Sequence, residues 1–392
     1  MLKNIIYLII LTFLSGETNF IDFEVITNNS PYPEKLLIHT FGGSKKYMSI
    51  LDHNLDPYWQ INSNDKGMDF KKNSEDITYF RKIEVSDPNE PTPGLPSTGP
   101  EWIVMNSMMQ EIDTIKCTSG ITDYHDIQLL TNGNYILQAY DSLYINMQDI
   151  IEGGHPSAMV QGILRIQEFD QEHNLLMDWF ALDHLDISEY DNLNFQSQQI
   201  TFMHGNSIDV DYDENIIISN RRSSEVIKID RLTGEVIWII GGPQNEFEIF
   251  GDNLNGFSKQ HDVRRLENGN ILLFDNGNNH NPATSRAVEY EIDEINKTLT
   301  LIWEYLNPYG EVSLAMGSAQ RLPNGNTLIN WGNIAGASGG RIIEVTYNYE
   351  IALEIQFESQ MAYKVRKDEW AFEIPMGTGD INLDGVLNIL DI

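Results

Sequence analysis

Cysteine, basic residues and long apolar stretches are all scarce in this sequence. Its 392 residues include one cysteine, Cys117, which excludes an intramolecular disulfide and a cysteine-built zinc site. Lys and Arg number 25 against 58 Asp and Glu, for a formal charge of −33. Nucleic-acid backbones are gripped by clustered cations, so a nucleic-acid partner is excluded, and docking on an anionic membrane surface is disfavoured. The apolar run at 5–14 falls well short of the ~20 residues that a membrane span requires. What is present suits a folded chain: 41% of residues are hydrophobic and 10% aromatic, enough for a large core and too much for disorder.

The start of the chain has the order of a secretory leader. Lys3 precedes the apolar run, and the small pair Ser15-Gly16 follows it. This predicts a signal peptide over 1–16 and a secreted or periplasmic mature protein, with no membrane attachment after cleavage. No cysteine follows the run, which removes a lipid anchor. A buried N-terminal strand is the competing reading, but the run lacks the alternation of a half-exposed strand.

Internal repetition carries most of the fold information. Four segments share one form: HDIQLLTNGNYIL at 125–137, HGNSIDVDYDENIII at 204–218, HDVRRLENGNILL at 261–273 and GSAQRLPNGNTLI at 317–329. Each reads as strand, turn, strand, with Asn-Gly between apolar runs predicting a tight type I′ hairpin. A further strand follows in each, leading to Trp179, Trp238, Trp303 and Phe357. Two weaker units precede them, 41–59 and 70–115, the second interrupted by a Pro/Gly-rich loop at 88–100. The reading is all-β: a six-bladed β-propeller of four-stranded blades around a central channel, spanning residues 25–375. A β-sandwich would not account for near-identical units at similar spacing.

Three of the four strong copies place a histidine just before the first strand of the hairpin, and the fourth has Gly317 there. First strands of propeller blades are innermost, so His125, His204 and His261 are expected to converge at the channel mouth. Arg221 and Arg222, adjacent in a chain poor in arginine, follow the second strand of the His204 unit. Arg222 reads equally as a partner for surrounding carboxylates. Three imidazoles and an arginine suit an oxyanion with several equatorial oxygens. A three-histidine metal site is the alternative, which a nearby arginine disfavours.

These residues also carry a resemblance. His204-Gly-Asn-Ser with Ser219-Asn-Arg221, then Gln260-His261-Asp, Phe274-Asp-Asn-Gly and Ser285-Arg-Ala-Val-Glu-Tyr resemble the bacterial arylsulfate sulfotransferases over about 120–357. The resemblance implies a six-bladed propeller. It also implies sulfuryl transfer from an aryl sulfate donor to a phenolic acceptor by a ping-pong route through a sulfated histidine, with no catalytic cofactor and no nucleotide sulfate donor. It assigns the nucleophile to His261, sulfuryl binding or proton exchange to His204 and His125, charge stabilisation to Arg221, and substrate contacts to Asn206 and Arg222. Two departures stand out. The extra N-terminal β-domain and the disulfide of the best-known members have no counterpart here, and an insertion within 140–202 lengthens one unit.

The last residues read separately. Asp380, Asn382, Asp384, Asn388 and Asp391, with Gly385 between them, follow calcium-loop spacing, oxygen ligands at positions 1, 3, 5, 9 and 12 and glycine at 6. This resembles a truncated dockerin-like module over 379–392, binding Ca2+ and docking a cohesin-like partner. Two other functions share these features: a non-catalytic propeller used as a binding module on such an assembly, and an aryl sulfate hydrolase in which water replaces the phenol.

Overall fold

In the computed structural model of the protein, residues 21–43, 46–63, 66–81 and 100–371 are described. The leader at 1–16, most of the 88–100 loop and the candidate calcium ligands at 380–391 lie outside them. The described chain folds into six antiparallel sheets arranged as a six-bladed propeller. Blades 2 to 5 run in chain order, with inner strands Lys66–Asn73, Ile121–Leu129, Gly205–Val210 and His261–Arg265. Blade 6 begins at Ser318–Arg321. Blade 1 takes Lys35–Phe41, Tyr47–Leu51 and Pro57–Asn62 from the start of the chain, but its inner strand, Met361–Asp368, from the end. The N-terminal strand Glu24–Asn28 in turn pairs with the outer strand Ile351–Gln356 of blade 6. Each inner strand packs against that of the next blade, and the strand of blade 6 returns to Met361–Asp368, closing the ring.

The repeated apolar strands are explained by what lies on both sides of each sheet. Six hydrophobic clusters fill the six interfaces between blades. In Ile216-Ile217-Ile218, for example, Ile216 and Ile218 face blade 3 while Ile217 faces blade 5. Alternation sends successive side chains to opposite faces, so a strand buried on both sides reads as an uninterrupted apolar run. The insertion within 140–202 lengthens two strands of blade 3, Tyr135–Ile145 and Ala158–Phe169. It packs Tyr190, Leu193, Phe195 and Phe202 into the cluster between blades 3 and 4. His184 in this insertion stacks on Trp179, ring centroids 5.5 Å apart.

The hairpins correct one expectation. A type I′ turn needs positive φ at both central residues, but only the glycines have it: Gly133, Gly269 and Gly325 lie at φ +87° to +88°. Each loop has three residues, closed by bonds such as Gly133 N–H to the Leu130 carbonyl, 2.9 Å, and Leu130 N–H to the Asn134 carbonyl, 2.8 Å. The preceding asparagine bends the chain with its side chain instead, as where Asn132 Oδ1 accepts the Asn134 N–H at 3.0 Å. In blade 4, which lacks the glycine, Glu214 takes the left-handed conformation at φ 67°.

The asparagine after each turn glycine explains the Asn-Gly-Asn repeat. Asn134, Asn270 and Asn326 donate to Glu168, Glu289 and Glu344 on the third strands of their own blades, at 2.6 to 2.7 Å. Each glutamate also holds a cation of the following blade: Arg231 at 2.6 Å, Arg321 at 2.6 Å and Lys367 at 2.7 Å. Blade 4 reverses the sign, its Lys228 pairing with Asp211 at 2.7 Å and with Glu294 of blade 5 at 3.2 Å. The Glu344–Lys367 latch sits at ring closure, where Glu344 also accepts the Tyr32 N–H. Removing one partner of a buried pair leaves the other charge stranded. Glu344→Ala is therefore expected to lower unfolding stability by about 3–5 kcal/mol, read as a lower urea midpoint at unchanged slope. A loss under about 1 kcal/mol, within the range of an exposed ion pair, would mean that the apolar cluster alone holds the ring shut.

Candidate active site

Five of the six inner strands are bulged where they face the channel mouth. The extra residues are 363–364 in blade 1, 69–70 in blade 2, 123–126 in blade 3, Asn206 in blade 4 and 262–263 in blade 5. The inner strand of blade 6 pairs regularly. A bulge bends its strand and re-aims side chains. Here the bulges bring together residues from strands far apart in the chain. His125 and His204 meet edge to face at 4.7 Å between ring centroids. Tyr363, from the C-terminal strand, lies 5.6 Å from His125 and 6.3 Å from His261. Tyr124 stacks on His125 at 4.1 Å. Blade 6 adds no histidine for a steric reason. At φ +112°, Gly317 would place a Cβ 2.4 Å from the Phe274 ring.

The tautomer of His261 follows from its neighbours. Asn276 Nδ2 donates to the Ser313 and Met316 carbonyls at 3.1 and 2.9 Å. That leaves Asn276 Oδ1 to accept from His261 Nδ1–H, at 2.6 Å. Nε2 then carries the lone pair, which accepts the Met316 N–H at 3.2 Å. Burial holds the His261 pKa well below the ordinary imidazole range, with Arg221 and the other two histidines adding to the effect against the Asn276 bond. The result is a neutral imidazole with a defined nucleophilic nitrogen. His125 is oriented differently, with Nδ1 on Asp123 Oδ2 at 2.7 Å. That carboxylate oxygen is itself fixed by the His125 N–H at 2.9 Å and by Gln138 at 2.6 Å. His204 is half-buried, its pKa lowered to about 3 by burial first and then by His125.

Arg221 follows the strand Ile216–Asn220. Its N–H donates to the His204 carbonyl at 2.8 Å, and Nη2 reaches across to the Leu314 carbonyl at 2.9 Å. Its Nε is buried with no hydrogen-bond partner, and among the described residues no carboxylate forms an ion pair with it. Asn220 ties this turn to the site, its Oδ1 accepting both the His204 and the Arg222 N–H. Arg222 is exposed at the rim and pairs with no carboxylate among the described residues. Asn206 is fully buried, its amide spent on the Gln260 carbonyl at 2.7 Å. That bond joins blades 4 and 5, while Asn206 Oδ1 is buried with no hydrogen-bond partner. No group of three or more His, Cys, Asp or Glu among the described residues is arranged to hold a metal ion.

Sequence reasoning missed Tyr363, Tyr124, Asp123 and Asn276. Asn276 lies in the Phe274-Asp-Asn-Gly motif, and Asp123 stands two residues before a flagged histidine, so both had a local signal. Tyr363 had none, because its strand belongs to a blade begun more than 300 residues earlier. Neutral buried histidines make stability depend on pH. With a folded pKa of about 3 and an ordinary unfolded value near 6.5, His204 favours folding above pH 6.5. That contribution is lost as pH falls toward 3. His204→Gln should flatten the dependence of unfolding free energy on pH between 6.5 and 4 by up to one proton, about 1.4 kcal/mol per pH unit. Identical slopes in the two proteins would show that folding leaves the His204 pKa unchanged.

Among solved structures, the ring is similar to a protein of unknown function from Bacteroides caccae. Identity is 12%, 85% of this chain and 98% of that one are covered, and the TM-score is 0.47. A hypothetical selenium-binding protein from Sulfolobus tokodaii matches at 11% identity over 84% of this chain and 78% of that one, TM-score 0.45. Both are too distant to inform the chemistry. No curated protein gives a significant match. The Arylsulfotransferase (ASST) family model, in contrast, matches residues 23–366. That stretch runs from the N-terminal edge strand to the closing strand that carries Tyr363, and the chain belongs to the arylsulfotransferase family.

Proposed function

We propose that the protein is an exported aryl sulfotransferase that moves a sulfuryl group from an aryl sulfate to a phenol in two displacements through His261. The observation that carries this reading is the fixed tautomer of His261, a buried neutral imidazole whose Nε2 holds the lone pair, engaged only by the long Met316 N–H contact. In the first displacement Nε2 attacks sulfur, the bond from sulfur to the aryl oxygen breaks with its electron pair on oxygen, and the aryl group leaves as a phenolate that takes its proton from solvent. The weak Met316 N–H contact yields as Nε2 attacks. Nδ1–H stays on Asn276 Oδ1, where the bond stabilises the positive charge of the sulfated ring. In the second, His125 Nε2, with its ring held through Nδ1 by Asp123, takes the proton of the incoming phenol as its oxygen attacks sulfur. The N–S bond breaks with its electron pair returning to Nε2, His261 is restored, and His125 passes the captured proton to solvent. Sulfuryl transfer, like phosphoryl transfer, spreads charge over three oxygens, and in this reading Arg221 and His204 hold them. Splitting one displacement in two predicts ping-pong kinetics.

Export rests on the leader pattern at 1–16, and a calcium-binding, cohesin-directed tail on the loop spacing at 379–392. No helix among the described residues is long and apolar enough to cross a membrane.

The direct test incubates the protein with 4-nitrophenyl sulfate, with and without phenol. Nitrophenol release that needs the acceptor, is absent in His261→Ala, and leaves one SO3 on the His261 peptide in the donor-only sample is the expected result. Release indifferent to phenol would mean hydrolysis, and no release at all a binding module. The Asn276 contact gives a second test. Because His261 stays neutral, the nitrophenol burst should be nearly flat from pH 8 to pH 5. A carboxylate at position 276 would favour the imidazolium, so Asn276→Asp should show a burst that falls as pH drops below about 7. An unchanged flat profile in that variant would remove His261 Nε2 from the attacking role.

A further inference from the structure

Most of the lysines and arginines among the described residues are matched to carboxylates. Lys71, Arg165, Lys228, Arg264 and Arg286 each meet one at 2.6 to 2.8 Å. Three cations at the rim of the candidate active site depart from this. Arg221, Arg222 and Lys259 pair with no carboxylate among the described residues, in a sequence where acidic residues outnumber basic ones by more than two to one. They are held together by the backbone. Lys259 Nζ donates to the Arg222 carbonyl at 2.6 Å, and Lys259 N–H to Ser224 Oγ at 3.1 Å. Lys259 also stands two residues before His261, and Arg221 directly follows the strand whose Asn220 holds the His204 N–H. The grouping works against itself electrostatically: burial, then Arg221 and Arg222, lower the Lys259 pKa. Like charges gathered without counter-charges are unfavourable unless an anion joins them.

One anionic group accounts for only part of this cluster. Arg221, with its buried, unpartnered Nε, adds its charge to burial in lowering the pKa of both His204 and His261, and the proposed reaction assigns it to the sulfuryl group. Arg222 is exposed and Lys259 half-buried, and neither is assigned to that group. We propose that Arg222 and Lys259 form a second anion subsite, so that the favoured aryl substrates carry a further negative group, such as a carboxylate, on the ring. The inference rests on the sulfotransferase reading and extends it to the substrate class. It also answers the charge problem. A dianion is repelled at long range by a chain of −33, and two unneutralised cations at the entrance counter that within about a Debye length, 8–10 Å at ordinary salt.

The test compares matched acceptors, 3- and 4-hydroxybenzoate against their methyl esters, with 4-nitrophenyl sulfate as donor. The wild type should prefer at least one acid over its ester by about tenfold or more in kcat/KM, as expected for a charge-assisted contact, and added salt should erode the preference. In Arg222→Ala/Lys259→Ala the acid-to-ester ratio should fall toward one. A wild-type preference for the esters would overturn the proposal. So would a double variant that keeps the ratio, since the cluster would then serve only the sulfuryl group. Calorimetric binding of the same hydroxybenzoates separates this from failure of the parent reading. If the wild type transfers no sulfuryl group yet binds an acid more tightly than its ester, and the double variant loses that difference, the subsite stands and the reaction assignment falls. Equal binding of acid and ester removes the subsite.

Discussion

Six sheets closed in a ring leave an axis that must be filled, and here it is filled with charge. Asp69, Asp126 and Asp262 meet Lys71, Arg264, Lys364 and Arg366 below the candidate active site. Arg264 lies 2.6 Å from Asp126 and 2.9 Å from Asp262, Lys364 3.2 Å from Asp126, and Lys71 2.8 Å from Asp69. Arg366 closes on Asp262. The cluster touches every blade. Blades 1, 2, 3 and 5 supply the side chains. Blade 4 contributes the Ile208 N–H to Asp126, and blade 6 the Ala319 N–H to Asp262. Buried ion pairs are weak evidence for stability, since desolvation offsets most of the attraction, but they discriminate strongly between registers. A blade slipped by one residue would strand a charge on the axis.

The same cluster dictates the site above it. The inner strands alternate in what they deliver: His125 to the site and Asp126 to the axis, His261 to the site and Asp262 to the axis, Tyr363 to the site and Lys364 to the axis. The bulges make this alternation possible, because an extra residue lets two neighbours turn toward the same channel at different heights. Asp69 and Asp262 take left-handed φ of 50° and 56° to do so, a cost accepted only where surroundings over-determine the conformation. Site and axis are also joined directly. Lys364 Nζ donates to the His125 carbonyl at 2.8 Å, so the charge that fixes ring closure also fixes a histidine of the site.

This explains which features were legible in the sequence. The His-Asp pairs at 125–126 and 261–262 repeat because each serves two layers, and repetition is what sequence reading detects. The Asn-Gly-Asn turns repeat because the second asparagine feeds the latch glutamates. The blade count was legible for the same reason. The turn type was misread because Asn-Gly is shared by two- and three-residue loops, and the side chain of the asparagine rather than its φ decides between them. Tyr363 was invisible because ring closure takes one strand from the far end of the chain, outside any unit whose period could reveal it. Asn206 sits in the bulge of the blade 4 inner strand, where its Nδ2 joins blades 4 and 5 through the Gln260 carbonyl and its Oδ1 is left without a partner.

Net charge and local charge then separate cleanly. The axial cations cannot serve an incoming anion, because each is already matched to a carboxylate and buried. The latch cations are spent between blades. Arg221, Arg222 and Lys259 differ in forming no ion pair with either network among the described residues, with the Arg221 N–H on the His204 carbonyl and Lys259 two residues before His261. Effective interaction between exposed charges fades over about 8–10 Å at ordinary salt, so carboxylates elsewhere on the surface weaken this cluster little. An acidic protein can therefore hold an anion-accepting mouth, provided that the fold keeps its own carboxylates committed elsewhere. The alternation of the inner strands does this by sending Asp126 and Asp262 down the axis, away from the mouth, while the histidines beside them face it.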